Sequence, residues 1–238
     1  MAHQDFRNIR VLHDSVMYAV IAYAPFVKRL WEKLRDTGKE IFNISHKMTY
    51  KQDEPQYWLD KWQRGNTDWH LRDVNPWLYS NIHLLTGGRE HIKVFIPLCG
   101  KSVEIKWLAD MGHTVVGVDV SSIGMQEFFS DMALTYTVNP VPELLLFCST
   151  LEGLFDAVWD RAAMVALSPE LMEKYHITVE SLMAPSCQYI VELFDYAHPG
   201  KPSSSYNVDV LERFTSQYFK EKFDASYLYI EMVRIAKI

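Results

Sequence analysis

Gly100 and Asp119 are the residues whose types and spacing promise the most chemistry. Gly100 lies in the turn Pro97 to Ser102 that closes the apolar run Val94 to Pro97, and Asp119 stands near the end of a second apolar run, Thr114 to Val120. The order strand, glycine turn, helix, strand, acid is the first half of a nucleotide-binding sheet. There the turn is expected to leave backbone amides open to a ligand, while the acid reaches ribose hydroxyls at the carboxyl ends of the strands. The dinucleotide fingerprint needs three glycines at fixed offsets, and this turn has one; Gly100-Lys101-Ser102 imitates only the end of a longer Walker loop. An adenosine ligand without phosphate fits better, with a sulfonium chain passing close to the single glycine, which describes S-adenosylmethionine. Asp119 could equally be a plain strand-end acid, and Gly100 an ordinary strand-to-helix turn.

Asp160 and Arg161 follow the apolar run Phe155 to Trp159 and fall at the same sheet edge. Arg161 suits an anionic or water-bridged acceptor, and Asp160 is a candidate proton acceptor if that acceptor arrives protonated. As a surface ion pair the two would contribute at most about 1 kcal/mol, so the pair alone says little. Trp58 and Trp62 share one helix face, which suits core packing as well as ligand contact. An indole face also attracts a sulfonium, by about 0.5 to 2 kcal/mol when desolvated. Trp69 follows the polar Gly65 to Asp68 stretch, which reads as loop.

The elements that position these residues form a βα series. Val94 to Pro97 and Thr114 to Val120 read as buried strands, joined by a helix from Lys101 that Gly112 ends. Ser121-Ser122 offers a cap for the next helix. Further strands are expected at Leu144 to Cys148, Phe155 to Trp159 and Cys187 to Phe194, with a helix from Pro169 to Met183 before the last of them. A helix from Val208 to Phe219 and a terminal strand or hairpin remnant from Tyr227 to Ile235 follow, and sheets of this kind commonly carry an antiparallel edge. Val16 to Gly38 reads as one or two helices. The fold expected is therefore α/β and doubly wound, a mostly parallel Rossmann-like sheet with helices on both faces and an N-terminal helical cover. Residues 1–48 form the extension and 49–238 a single domain.

With 238 residues, 48% of them hydrophobic and 13% aromatic, the chain can bury a large core. A net charge of −6 argues against nucleic acid as a partner. The apolar run Ser15 to Val27 is too short for a bilayer and is interrupted by Pro25, and the acids around it disfavour a targeting peptide. Cys99, Cys148 and Cys187 read as reduced, buried thiols of a cytoplasmic protein, Cys99 being the one placed to react, and no His or Cys spacing suggests a metal.

Three blocks carry a resemblance to a known family. Phe95 to Phe129, FIPLCGKSVEIKWLADMGHTVVGVDVSSIGMQEFF, is similar to the first methyl-donor block of the thiopurine S-methyltransferases. WDRAAMVALSP, from Trp159 to Pro169, is similar to their second block, and WLDKWQRGNTDWH, from Trp58 to His70, to the segment that folds over donor and acceptor. The resemblance implies a class I methyltransferase fold with S-adenosyl-L-methionine as donor, S-adenosyl-L-homocysteine as product and no metal. It places Trp58, Trp62, Leu98, Gly100, Asp119, Ser149 and Thr150 at the donor, Trp69 at the acceptor end, and Arg161 as the active-site arginine.

The implied reaction is in-line displacement on the donor methyl by an aromatic or heterocyclic thiol, with catalysis supplied mainly by alignment. A small-molecule thiol is then the partner of a monomeric enzyme. The chain is shorter than the family pattern between Tyr136 and Asp156, and it lacks the charged flap expected between Phe219 and Tyr229. Those departures leave two alternatives: a weakly active or non-catalytic relative without acceptor closure, or a methyltransferase for halides and small thiols.

Overall fold

The structure is a computed structural model that describes residues 17–21, 55–136, 154–163, 166–167, 175, 178–196 and 228–235. Its strands are β1 (Met17–Ile21), β2 (Lys93–Pro97), β3 (Thr114–Asp119), β4 (Phe155–Arg161), β5 (Met183–Tyr196) and β6 (Leu228–Ile235). They form one sheet in the order β1-β3-β2-β4-β5-β6, and every neighbouring pair is parallel. β2 and β3 are apolar along almost their whole length, and β4 from Ala157 to Trp159, because a parallel strand is covered on both faces.

Alternation along the strands sorts the core into two layers. Val94 and Ile96, Val115, Ala157 and Trp159, and Ile190 share one cluster with Leu78, Leu85, Ile105, Leu108 and Phe128 from the helices. The intervening residues Phe95, Val116, Val158, Tyr189 and Val191 are equally buried on the other face.

The helices are α1 (Pro55–Gln63), α2 (Pro76–Ser80), α3 (Ile82–Thr86), α4 (Glu104–Asp110) and α5 (Ser122–Asp131). Each has a local cause. Asn75 caps α2, its side chain accepting from the Leu78 amide, with Pro76 at the first helical position where no amide is needed. α4 turns Ile105, Leu108 and Ala109 onto the sheet and stops before Gly112. Ser121 caps α5 by accepting from the Gly124 amide at 3.1 Å, as its sequence suggests.

Two expectations are corrected here. Met17–Ile21, read as part of a helical cover, is a strand whose residues pair with Val115 to Asp119 of β3. The residues Met17-Tyr18-Ala19-Val20-Ile21 are largely β-branched or aromatic, and an unfilled parallel edge beside β3 outweighs their weak helical periodicity. The terminal strand runs parallel to β5, its Leu228 opposite Tyr189 and its Ile235 opposite Tyr196, so the described sheet has no antiparallel edge. The strand expected at Leu144 to Cys148 and the helix at Val208 to Phe219 lie outside the described residues, as does most of the Pro169 to Met183 helix, of which Tyr175 and Thr178 to Glu180 are helical. Among the described residues no helix is long and apolar enough to cross a membrane.

Candidate functional site

The chain leaves β2 for β3 on one side and returns to β4 on the other, so a crevice opens at the carboxyl ends of β2 and β4. The glycine turn, Asp119, Asp160 and Arg161 all border it. In the turn, Leu98 and Gly100 both have left-handed backbones, φ 44° and φ 51°. A glycine meets that demand without cost, whereas Leu98 carries strain of the kind found at binding sites.

The turn does not leave its amides open, contrary to the expectation. The Cys99 amide donates to the Val118 carbonyl at 2.9 Å, Gly100 to Asp119 Oδ2 at 2.8 Å, Lys101 to His70 Nε2 at 3.1 Å and Ser102 to the Cys99 carbonyl at 2.9 Å. With those donors used internally, a pyrophosphate finds no cradle, which agrees with a ligand lacking phosphate.

Asp119 is buried, and its second oxygen accepts from the Ser121 amide at 2.8 Å. Burial pushes its carboxyl up to about 6, against the pull of the amides of Ser121, Gly100 and Val120. The acid thus braces the turn and the start of α5. With three amides on its four lone-pair sites, the carboxylate keeps one with which a hydroxyl can be accepted. Cys99 is buried beneath the turn, and desolvation followed by the nearby Asp119 charge holds its thiol well above the usual range, so it is a packing residue rather than a reactive one. Cys187 is likewise free and buried, its thiol pushed up to about 12 by burial.

Aromatic rings roof the turn. The Trp69 indole stands edge-on to Trp58 at 5.6 Å and to Trp62 at 6.1 Å, and His70 lies 4.9 Å from Trp62 between ring centroids. Trp62 is buried and packs so closely that a Cβ on Gly124 would fall 2.7 Å from its ring. A Cβ on Gly100 would fall 2.2 Å from His70 Nε2 and 3.1 Å from Trp62. The close approach that Gly100 permits is therefore taken by the chain's own Trp62 and His70. His70 is held neutral, its pKa lowered to about 4 by burial, so that Nδ1 can donate to the Thr67 carbonyl while Nε2 accepts from Lys101. Lys61 places its ammonium 5.5 Å from the Trp69 ring centroid and 5.1 Å from that of Tyr57, within cation–π range of both.

Asp160 and Arg161 are neighbours in sequence and opposites in space. Alternation sends Asp160 to the second face, where it is fully buried and accepts from Tyr175 at 2.6 Å, Tyr189 at 2.9 Å and the Ala163 amide at 3.1 Å. Burial, then the Asp160 charge, holds both phenols well above their usual range. Arg161 points to the first face, donating from Nη1 to the Trp69 carbonyl at 3.0 Å and forming an ion pair through Nε with Glu192 Oε2 at 2.9 Å. Glu192 Oε1 accepts from Asn75 Nδ2 at 2.6 Å, the Asn75 amide donates to Glu104 Oε1 at 2.9 Å, and Ser102 donates to the other oxygen of Glu104. A polar chain thus runs from the glycine turn to Arg161.

The structure therefore gathers Trp58, Trp62, Trp69, Leu98, Gly100, Asp119 and Arg161 around one crevice and sends Asp160 behind the sheet; Ser149 and Thr150 lie outside the described residues. Sequence reading missed His70, Asn75, Glu104 and Glu192. Two of them left a signal: Glu192 interrupts the apolar run Tyr189 to Phe194, and Asn75-Pro76 is a helix-start pattern.

The pattern of the family described as Thiopurine S-methyltransferase (TPMT) matches residues 53–229. The chain belongs to the thiopurine S-methyltransferase family. It is 38% identical over 159 residues to a probable thiopurine S-methyltransferase of Danio rerio, covering 58% of this chain and 68% of the relative. The thiopurine S-methyltransferase of Mus spretus is 36% identical over 168 residues, 61% of this chain and 70% of its own length, and that of Equus caballus is 33% identical over 182 residues, 67% and 74%. The expected family and its Rossmann-like architecture are thereby established. The thiopurine S-methyltransferase match spans the roofing segment, the glycine turn and both charged strand ends. Among the described residues no cluster of His, Cys, Asp or Glu could hold a metal ion.

Proposed function

We propose that the chain is an S-methyltransferase moving a methyl group from S-adenosyl-L-methionine to an aromatic or heterocyclic thiol, leaving S-adenosyl-L-homocysteine. The observation that carries this reading is the convergence of a glycine turn whose Cys99 to Ser102 amides are bonded internally, a buried acid beside it, and an indole with an ammonium against its ring, in a chain of this family. Those groups suit the donor: Asp119 can accept a ribose hydroxyl, and the indoles can face a sulfonium. When bound, the donor supplies an electrophilic methyl group.

The chain's own part is binding and alignment. Trp58, Trp62 and Trp69 exclude water above the turn. Arg161 fixes Trp69 through its carbonyl and, at the acceptor end, orients the incoming sulfur, the kind of positioning that lowers such a barrier most. Asp160, held by two tyrosines and an amide, supports the end of β4 rather than taking a proton.

Calorimetric titration with S-adenosyl-L-homocysteine, followed by transfer of a labelled methyl group to a panel of aryl thiols, tests the reading. Absence of binding at millimolar ligand rejects it. The packing of Trp62 and His70 against Gly100 favours one alternative, a relative that binds the donor but turns over weakly. Donor affinity without label transfer would select that alternative.

A further inference from the structure

Resting on the methyl-transfer reading, we propose that Asn75 is a positioning residue for the reaction, holding the glycine turn and the Arg161 edge at the separation that in-line transfer needs. The sheet itself leaves that separation loose. Among the described residues β2 and β4 pair only through Val94 with Ala157 and Phe95 with Val158. β2 stays paired with β3 as far as Pro97, and β4 with β5 as far as Arg161. The two strands therefore part where the crevice opens, each carrying one half of the site, and no backbone ladder fixes the gap between them.

Asn75 spans that gap. Its amide donates to Glu104 Oε1 at 2.9 Å, and Glu104 opens α4 just behind the glycine turn, where Ser102 donates to its other oxygen. Its Nδ2 donates at 2.6 Å to Glu192 Oε1, and Glu192 meets Arg161 both in strand register and through the 2.9 Å ion pair. Its Oδ1 accepts from the Leu78 amide at 3.0 Å, which anchors it to α2. Asn75, Glu104 and Glu192 are all buried, so water does little to compete for these bonds.

The roof makes a second tie, from Trp69 to Arg161 and from His70 to the Lys101 amide. That tie has to yield, since His70 and Trp62 take the space above Gly100 that a donor must approach. The bonds of Asn75 involve neither the roof nor the amides of the turn, so they can persist when the roof moves. Transfer needs the acceptor sulfur, the methyl carbon and the donor sulfur in line, and a misplacement of about 1 Å can cost about a hundredfold in rate. Cutting the Asn75 tie should then slow the methyl step while leaving donor binding in place.

The test uses the full chain with labelled S-adenosyl-L-methionine and 4-nitrobenzenethiol. Asn75→Ser keeps a capping oxygen for Leu78 and the amide for Glu104, but its side chain is too short to reach Glu192. Its kcat is expected to fall about tenfold or more while the Kd for S-adenosyl-L-homocysteine stays within about threefold. Asn75→Asp combined with Glu192→Gln re-forms the bond with its direction reversed, the new amide donating to the new carboxylate, and should raise kcat about fivefold or more over Asn75→Ser. In wild type, hydrogen exchange at the Asn75 amide should be slowed about a hundredfold or more relative to an open loop. A folded Asn75→Ser with kcat within about twofold of wild type, an equal loss of donor affinity, or no recovery in the folded double variant overturns the inference. An unprotected Asn75 amide in wild type overturns it whether or not the variants fold. Wild type that binds no donor or methylates no thiol would instead remove the methyl-transfer reading, and this inference with it.

Discussion

The glycine turn and the Arg161 edge face the same crevice but are built on different principles. In the turn, the partners are mostly neutral: backbone amides, an uncharged His70, a buried thiol, and one acid that braces the surrounding amides. At the Arg161 edge the partners are charged and come from distant parts of the chain, Glu192 on the next strand and Asn75 ahead of α2. The contrast teaches that the turn is held by backbone geometry and neutral groups, whereas the Arg161 edge depends on charges that strand register sets side by side. Changes at the turn should act through backbone geometry, and changes at Arg161 through unpaired charge.

The strongest way to break the comparison is Glu192→Ala, which strands the Arg161 guanidinium and the Asn75 amide. It is expected to cost about 3 to 5 kcal/mol of stability in urea unfolding, because half of a buried ion pair costs more to keep than the whole. A loss below about 1 kcal/mol would show that the pair is solvated like a surface contact.

Next is Gly100→Ala. At φ 51° with His70 Nε2 2.2 Å from the new Cβ, it is expected to cost about 2 to 3 kcal/mol and to weaken S-adenosyl-L-homocysteine binding. Gly65→Ala is its control, since φ is 69° there but nothing lies within 4 Å, and only about 1 kcal/mol should be lost. Equal losses would mean that the roof of Trp62 and His70 gives way freely.

Asp119→Ala removes the acceptor of the Gly100, Val120 and Ser121 amides and should weaken donor affinity by roughly 1 to 3 kcal/mol in calorimetry. Unchanged affinity would confine Asp119 to structural support.

The smallest effect expected is in pH dependence. Asp119 has a folded pKa raised from 3.8 to about 6, so the stability it contributes is full below about 4 and is lost as pH rises through about 6. His70 has a folded pKa lowered from 6.5 to about 4, so its contribution is full above about 6.5 and is lost as pH falls through about 4. The two oppose each other in one window. In His70→Gln only the Asp119 slope remains, and stability should rise by about 1 to 2 kcal/mol relative to wild type between pH 6.5 and pH 4, after allowance for screening. Parallel curves for the two proteins would remove His70 from the neutral latch on the turn.

Much of the glycine turn and of the start of α5 could be read from the residues. Ser121 before α5 and Asp119 at the end of β3 act on amides two or three positions on, and the glycine turn follows from the βαβ order, so type and spacing carry their roles. Met17–Ile21 could not be placed this way, since a short apolar run is compatible with helix or strand until a free sheet edge accepts it. Nor could the parallel direction of β6 be read, because direction depends on how the chain returns to the sheet rather than on the strand's own residues.

The chain by itself determined that one glycine turn joins β2 to α4, that an acid ends β3 and that charged residues end β4. Tertiary structure alone decided which of those charges serves the crevice. Alternation turned Asp160 behind the sheet to Tyr175 and Tyr189, and the pairing of β4 with β5 set Glu192 against Arg161. A side chain's partner across a sheet is fixed by register, and register is a property of packed strands that no stretch of sequence holds on its own.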